Sequence, residues 1–267
     1  MGGTAEARID EIMKQYLILE FKSRLRIFLG KYYWKFRELR SKKKEGYFLN
    51  KIKYKNNEIK IYSRKLQSFY SMASGTFKNE EYKWLDVKRK DVLDIGANIG
   101  DTAIYFALNG AKHVYAFEPY PATCETARKN TMPYKNIILY NMAVGEKTKL
   151  LNLDNTNSEA AGMDLSHKGN EKIAQTTLKN FCDINNFKHA ILKIDCEGAE
   201  YEIILNSSSS TLLKFDQIMI EYHYGYKTLK KYLENLGFKV TVTEPTKFFN
   251  IDAKNPYMNL GLLYAKR

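Results

Sequence analysis

The segment Asp94-Ile95-Gly96-Ala97-Asn98-Ile99-Gly100-Asp101 constrains the fold more than any other stretch of the chain. A short apolar run, Val92 and Leu93, precedes it, and a helix-compatible run from Thr102 to Leu108 follows. Strand, glycine turn and helix start, in that order, let a backbone close over a nucleotide-like ligand at the edge of a parallel sheet. Gly96 and Gly100 remove side chains where the turn is tight and a ligand must come close. The spacing is D-x-G-x-x-x-G, not G-x-G-x-x-G. Asn98 replaces the second glycine that would admit a pyrophosphate, which counts against a nicotinamide-dependent dehydrogenase.

Beyond Asp91 the pattern alternates. Apolar runs predict strands at 91–95, 113–117, 136–141, 189–194, 216–222, 238–243 and 258–265, and helices at 101–109, 121–130, 199–206 and 226–236. Pro121 suits a first helical turn, and Gly110 and Gly237 fall where helices stop. This is an α/β pattern: a mostly parallel sheet, helices on both faces, and ligands at the carboxyl ends of the strands. Residues 142–187 break the rhythm with Asn, Ser, Thr and Gly, and are expected to form a hairpin and a loop over the pocket. Ser207–Ser210 reads as a polar helix exit.

The front of the chain differs. Residues 6–44 place apolar side chains at helical spacing between lysines and arginines, which predicts one or two basic amphipathic helices. Residues 51–63 alternate around Asn56-Asn57, a hairpin signature with asparagine in the turn. Residues 64–86 are expected to be a helix and loops. The chain therefore divides into a basic helical region with a hairpin at 1–86 and an α/β domain at 87–267.

Charge follows that division. Residues 1–90 hold 23 Lys/Arg and 10 Asp/Glu, whereas 91–267 hold 20 of each, so the whole excess of +13 precedes the glycine turn. Such asymmetry suggests an anionic partner for the front third: nucleic acid, an acidic membrane surface or a phosphorylated substrate. The bland alternative is a solvated helix face. The three cysteines, Cys124, Cys182 and Cys196, form neither a C-x-x-C pair nor a metal spacing, as in a reducing compartment. No signal-peptide pattern opens the chain, and no apolar run nears the roughly 20 residues that span a bilayer. A cytoplasmic location is expected, with the basic helices able to lie peripherally on a membrane.

Four predicted strand ends carry polar residues. Asp94 closes the first, and a carboxylate there suits a ligand with a positive amino group, such as S-adenosylmethionine. Glu118, in Val114-Tyr115-Ala116-Phe117-Glu118-Pro119, closes the second and could accept both hydroxyls of a ribose. Asn141, Met142 and Ala143 follow the third and could meet an adenine edge, although Asn after a strand is also ordinary turn chemistry. Leu192-Lys193-Ile194-Asp195-Cys196-Glu197-Gly198-Ala199-Glu200 closes the fourth. There Lys193 and Asp195 share a pleat face and form an ion pair, functional or structural. Glu197 also suits a helix N-terminus. Glu221 and His223 end the next strand. Asp195, Glu221 and His223 would then surround one space, His223 as a base of pKa about 6.5, or all three as ligands of a hard divalent cation.

Asp94–Asp101, Ala116–Pro119, Asn141–Gly145, Thr176-Thr177-Leu178, Leu192–Glu200 and Ile220–His223 together closely resemble the FkbM family of S-adenosylmethionine-dependent methyltransferases. Gly237–Val240 and Asn259–Lys266 look like its closing pattern, so the resemblance covers about residues 90–267. It implies a class I, Rossmann-like methyltransferase fold, seven-stranded with the last strand antiparallel, and O-methylation of hydroxyls on sugars, glycans or other small molecules. It implies that Asp94, Gly96, Asn98 and Asp101 line the methionine part of the cofactor and Glu118 the ribose; Ala97, Gly100, Pro119, Asn141 and Ala143, which flank them, are counted with them as cofactor-binding residues. It sets Asp195, Glu197 and His223 on the acceptor side, where Lys193 is a further catalytic candidate through its pairing with Asp195. The basic front third lies outside the shared pattern. It leaves open an RNA methyltransferase that docks through residues 1–90, or a non-catalytic adaptor tethered to acidic lipid.

Overall fold

The computed structural model describes residues 44–65, 74–153, 171–249 and 257–267, together with Tyr33, Lys35, Arg37 and Ser41. The helices expected over 6–44 lie almost wholly outside the described residues. Strands β1 (Phe48–Tyr54) and β2 (Asn57–Ser63) form a hairpin. Tyr54 pairs with Asn57, so the turn is Lys55-Asn56, one residue earlier than expected, and the left-handed residue is Lys55, φ 52°. The reason is register: this pairing buries Ile59 and Ile61, whereas a one-residue slip would turn both to solvent. The helix expected in 64–86 is, among the described residues, a π-helical turn at Ser74–Lys78.

The α/β part follows as β3 (Asp91–Ile95), α1 (Asp101–Leu108), β4 (His113–Phe117), α2 (Pro121–Thr131), β5 (Ile137–Tyr140), β6 (Ala143–Gly145), β7 (Lys149–Leu153) and β8 (Glu171–Thr177). Then come α3 (Leu178–Ile184), β9 (Ala190–Ile194), α4 (Glu200–Leu205), α5 (Ser209–Leu212), β10 (Phe215–Tyr222), α6 (Lys227–Asn235), β11 (Lys239–Val242), β12 (Thr246–Phe249) and β13 (Tyr257–Lys266). The main sheet runs β11-β13-β10-β9-β3-β4-β5; β13 is antiparallel to its neighbours, and β12 pairs on β13 as an additional strand. This is the expected seven-stranded, mostly parallel sheet of a class I methyltransferase fold, its last strand antiparallel, with one strand added.

Helices α3 and α5 were not expected. Each is short and starts at a side-chain cap: Thr177 Oγ1 accepts from Asn180 N at 3.0 Å, and Ser208 Oγ from Thr211 N at 3.3 Å. Ser207–Ser210 therefore opens a helix as well as closing one. The expected 142–187 hairpin is a three-stranded sheet, β6-β8-β7, in which β6 runs parallel to β8 and β7 antiparallel.

Alternation along the strands divides the core. Leu93, Ile95, Leu192, Ile194, Ile218 and Ile220 pack with Phe181, Ile204, Leu212 and Leu233 of α3 to α6. Val92, Ile191 and Met219 pack on the other face with Ile104 of α1, with Tyr54, Ile59 and Ile61 of the hairpin, and with Phe77 and Tyr82. Each fully buried Ile or Leu contributes about 1.5–3 kcal/mol. Buried Asn130 of α2 ties the hairpin to the glycine turn. Its Oδ1 accepts from Tyr62 N at 2.7 Å, and its Nδ2 donates to Tyr62 O at 2.9 Å and Ile99 O at 2.8 Å. After β5 the chain returns to place β9 on the far side of β3, so strand order reverses between β3 and β9 and a crevice opens at their carboxyl ends. Among the described residues no helix is long and apolar enough to cross a membrane.

Candidate active site

The glycine turn is shaped by the protein's own backbone. Gly96 has φ +79°, and a Cβ there would lie 1.7 Å from the carbonyl oxygen of Asp195. Gly100 has φ +87°, and a Cβ there would meet Thr131 Cγ2 at 2.8 Å. The turn is thus as tight as expected, clamped between the β9 loop and α2; Gly96 also lines a cavity in the crevice, whereas Gly100 serves the packing on α2. Asn98 takes φ 47°, and its Oδ1 is buried without a hydrogen-bond partner among the described residues.

Glu118 is buried at the end of β4. Its Oε1 accepts from Tyr120 N and its Oε2 from Asn98 N, each at 3.0 Å. Burial pushes its carboxyl up to about 8, against the pull of those two N–H groups. It is therefore not the solvated acid of an ordinary turn. Asn141 Nδ2 donates to the carbonyls of Glu118 at 2.9 Å and Pro119 at 3.0 Å, so this side chain braces the β4 turn. Ala143, in β6, is buried beside Leu151, Leu153 and Ile173.

Asp94 and Lys193 are register partners on adjacent strands, and both are essentially inaccessible to water. Lys193 Nζ donates to Gly96 O at 2.8 Å and lies 3.1 Å from Asp94 Oδ1, off the hydrogen-bond line, while Asp195 Oδ2 is 4.0 Å away. The expected Lys193–Asp195 pair is therefore mainly a Lys193–Asp94 pair. Burial opposes the ammonium charge, but the Asp94 and Asp195 carboxylates outweigh it and raise its pKa. Thr102 Oγ1 donates to Asp94 Oδ2 at 2.5 Å. On α1, Asp101 accepts from Thr76 Oγ1 at 2.5 Å, and burial pushes its carboxyl up to about 6.

His223, just past β10, is buried between two carboxylates. Nε2 lies 3.0 Å from Glu197 Oε2, and Nδ1 lies 3.0 Å from Glu200 Oε1, which also accepts His223 N at 3.0 Å. Burial lowers the imidazole pKa, but the bonds to Glu197 and Glu200 override that and raise it to about 11. A ring that holds its proton and has both nitrogens engaged is not the free base expected at neutral pH. The expected trio Asp195, Glu221 and His223 is corrected as well: the ligand atoms that converge, within 4.8 Å of one another, belong to Asp195, Glu197 and His223. Glu197 takes φ 54°, a left-handed turn, and reaches His223 from the β9 loop.

A cavity of about 240 Å³ occupies the crevice, lined by Gly96, Ala97, Asn98, Asp101 and Thr102, by Lys193, Asp195, Glu197 and Glu221, and by Gly75, Thr76, Glu81 and Tyr82. Asp94, Gly100, Glu118, Pro119, Asn141, Ala143 and His223 do not line it. They lie around the same sheet edge, and several hold the lining groups: Asp94 through Lys193, Glu118 through Asn98, His223 through Glu197. The segment at 75–82 escaped the sequence reading because it has no periodicity and lies ahead of the recognisable motifs. Glu200 stands within the Leu192–Glu200 motif, but nothing in its spacing marks it as the partner of His223.

The family model described as the methyltransferase FkbM domain matches residues 94–240. Among solved structures, the chain is similar to Pyrococcus horikoshii TYW2 in complex with MeSAdo, with 16% identity, 84% of this chain and 72% of that one covered, and a TM-score of 0.47. It is also similar to M. jannaschii TYW2 in complex with AdoMet (17% identity, 84% and 87% covered, TM-score 0.45). A third is M. capricolum TrmK in complex with S-adenosyl-homocysteine (14% identity, 71% and 67% covered, TM-score 0.44). No curated protein matches the chain. The matched span exceeds half of the 267 residues and carries the strand-end motifs of the crevice, and the chain belongs to the FkbM methyltransferase family.

Proposed function

We propose that this protein is an S-adenosylmethionine-dependent O-methyltransferase acting on a hydroxyl of a sugar, glycan or other small molecule. The observation that carries the proposal is the cavity at the switch point, walled by the glycine turn and by five acidic side chains, Glu81, Asp101, Asp195, Glu197 and Glu221, with Lys193 as the one cation among the described lining residues. Such a wall favours a ligand bearing an ammonium and a sulfonium and disfavours a polyphosphate. The turn fits the cofactor on two further counts. Asn98 Oδ1 is a buried acceptor without a partner among the described residues, and each Glu118 oxygen, bonded to one N–H, has a lone pair to spare.

Gly96, Ala97, Asn98 and Asp101 would hold the methionine part, with Asp94 and Gly100 fixing the turn from behind. Glu118 would hold the ribose hydroxyls, and Pro119, Asn141 and Ala143 would shape the adenine side. When bound, the cofactor supplies a methyl group already activated by the attached sulfonium. The protein's task is then to align the acceptor oxygen and remove its proton. Asp195 faces the cavity with its side chain 28% exposed and is the group we assign to the acceptor hydroxyl. Lys193 positions Asp94 and the Gly96 carbonyl. The three thiols are free, which agrees with work in a reducing compartment such as the cytoplasm.

Calorimetry with S-adenosylmethionine tests the core of this reading: binding at micromolar ligand is expected, and no heat at high micromolar ligand rejects it. Methyl transfer to RNA is the second reading, favoured by the +13 excess ahead of the glycine turn. Filter binding decides between them: salt-sensitive RNA retention together with methyl incorporation into RNA would replace the small-molecule acceptor.

A further inference from the structure

We infer that Asp195, Glu197 and His223 form a binding site for a divalent cation at the wall of the cavity, and that the acceptor oxygen is a further ligand of that ion. The inference deepens the methyltransferase reading and rests on it for the acceptor.

Two separate chain segments build the site. Asp195 and Glu197 come from the loop after β9, and His223 from the residue after β10. Their oxygens and a ring nitrogen approach one another within 4.8 Å. The 3.0 Å between His223 Nε2 and Glu197 Oε2 is about the spacing of adjacent ligands that each sit roughly 2.0–2.2 Å from one small ion. Glu200, fully buried, binds Nδ1 and the backbone N–H of His223 and so fixes which nitrogen faces the carboxylates. A carboxylate behind a histidine in this way is the support that metal-ligating imidazoles have.

Charge balance at this corner of the wall also favours a cation. Lys193 is taken up by Asp94 and the Gly96 carbonyl, and an ion would displace the Nε2 proton that His223 shares with Glu197, leaving a neutral ring whose Nδ1–H stays on Glu200. Asp195 and Glu197 then meet at one cavity wall, beside Glu221, with no further cation among the described lining residues. Asp195 and Glu197 both open onto the cavity, which leaves coordination positions for a substrate oxygen. One imidazole and two carboxylates suit a first-row ion such as Mn²⁺ or Zn²⁺ better than an all-oxygen Ca²⁺ or Mg²⁺ site. An ion there would polarise a bound hydroxyl and orient an acceptor bearing two neighbouring oxygens, as sugars do.

The test is calorimetry of chelator-treated full-length protein with MnCl₂ and with ZnCl₂, supported by the Mn²⁺ paramagnetic resonance signal. S-adenosylmethionine binding is measured on the same samples. One ion per chain at micromolar affinity is expected, weakened at least tenfold in Asp195→Asn and in Glu197→Gln. The side chains of these two residues are 28% and 26% exposed, so at least one variant should stay folded, checked by its thermal midpoint. Absence of binding by either ion overturns the inference, as does binding that both folded variants retain in full. If S-adenosylmethionine binds and no ion does, the cation site alone falls. If the ion binds and S-adenosylmethionine does not, the cofactor reading falls and the cation site stands.

Discussion

Lys193 shows how a single residue can be both structural and part of a site. Its ammonium has almost no contact with water, yet it faces Asp94, the Gly96 carbonyl and the cavity at once. Lys193→Met would leave the Asp94 carboxylate buried and uncompensated. A loss of about 3–5 kcal/mol in unfolding free energy is expected, read from urea denaturation. Glu118 predicts a pH effect. Its folded-state pKa is raised from 4.5 to about 8, so its contribution to stability is full below its unfolded pKa and is lost as pH rises through about 8. Glu118→Gln removes that titration. The wild-type thermal midpoint should therefore fall relative to the variant across this window in ligand-free protein; parallel curves would refute the assignment. The same variant should bind S-adenosylmethionine about tenfold more weakly, through loss of one of the two oxygens that face the ribose hydroxyls.

At the scale of elements, the question is what joins the front of the chain to the sheet. The hairpin is not an appendage. Tyr54, Ile59 and Ile61 share a core cluster with β3, β4 and α1, and Asn130 bonds both Tyr62 and Ile99. Asn130→Ala leaves several backbone groups unpaired at that junction. It should cost about 2–3 kcal/mol, and hydrogen exchange should show faster opening of β2 and the glycine turn than of β9 and β10. Uniform acceleration across the sheet would show that the hairpin is held some other way. The two helices that escaped the sequence reading, α3 and α5, span 7 and 4 residues, too short for helical periodicity to register. Their capping residues Thr177 and Ser208 were visible, but caps mark a start only beside a periodic run.

At the scale of the whole molecule, charge is segregated. The +13 excess lies in residues 1–90, while the cavity wall is acidic. An anionic surface should therefore be engaged by the front of the chain and not by the crevice. Retention on anionic vesicles should fall steeply as the screening length drops from about 30 Å in about 0.01 M salt to about 3 Å in about 1 M salt. Co-sedimentation measures this; salt-independent retention would point to apolar contact instead. Reversal of strand order between β3 and β9 is what joins these scales, because it brings a turn near residue 96 against a loop near residue 196.

The sequence by itself determined the strands and long helices of the α/β region, because apolar periodicity and glycine or proline punctuation act over neighbouring residues. It also marked the edge of the sheet that carries the chemistry: Asp94, Glu118, Asp195 and His223 all stand at strand ends. Only the tertiary structure decided the partners across that edge. Asp94 took Lys193, Glu118 took the Asn98 backbone, and Glu197 rather than Glu221 met His223. Those choices depend on strand register, on a left-handed turn at Glu197 and on how deeply each group is buried. They also depend on a lining segment at 75–82 that is far from the motifs in sequence and joins them only because the hairpin packs on the same face as α1.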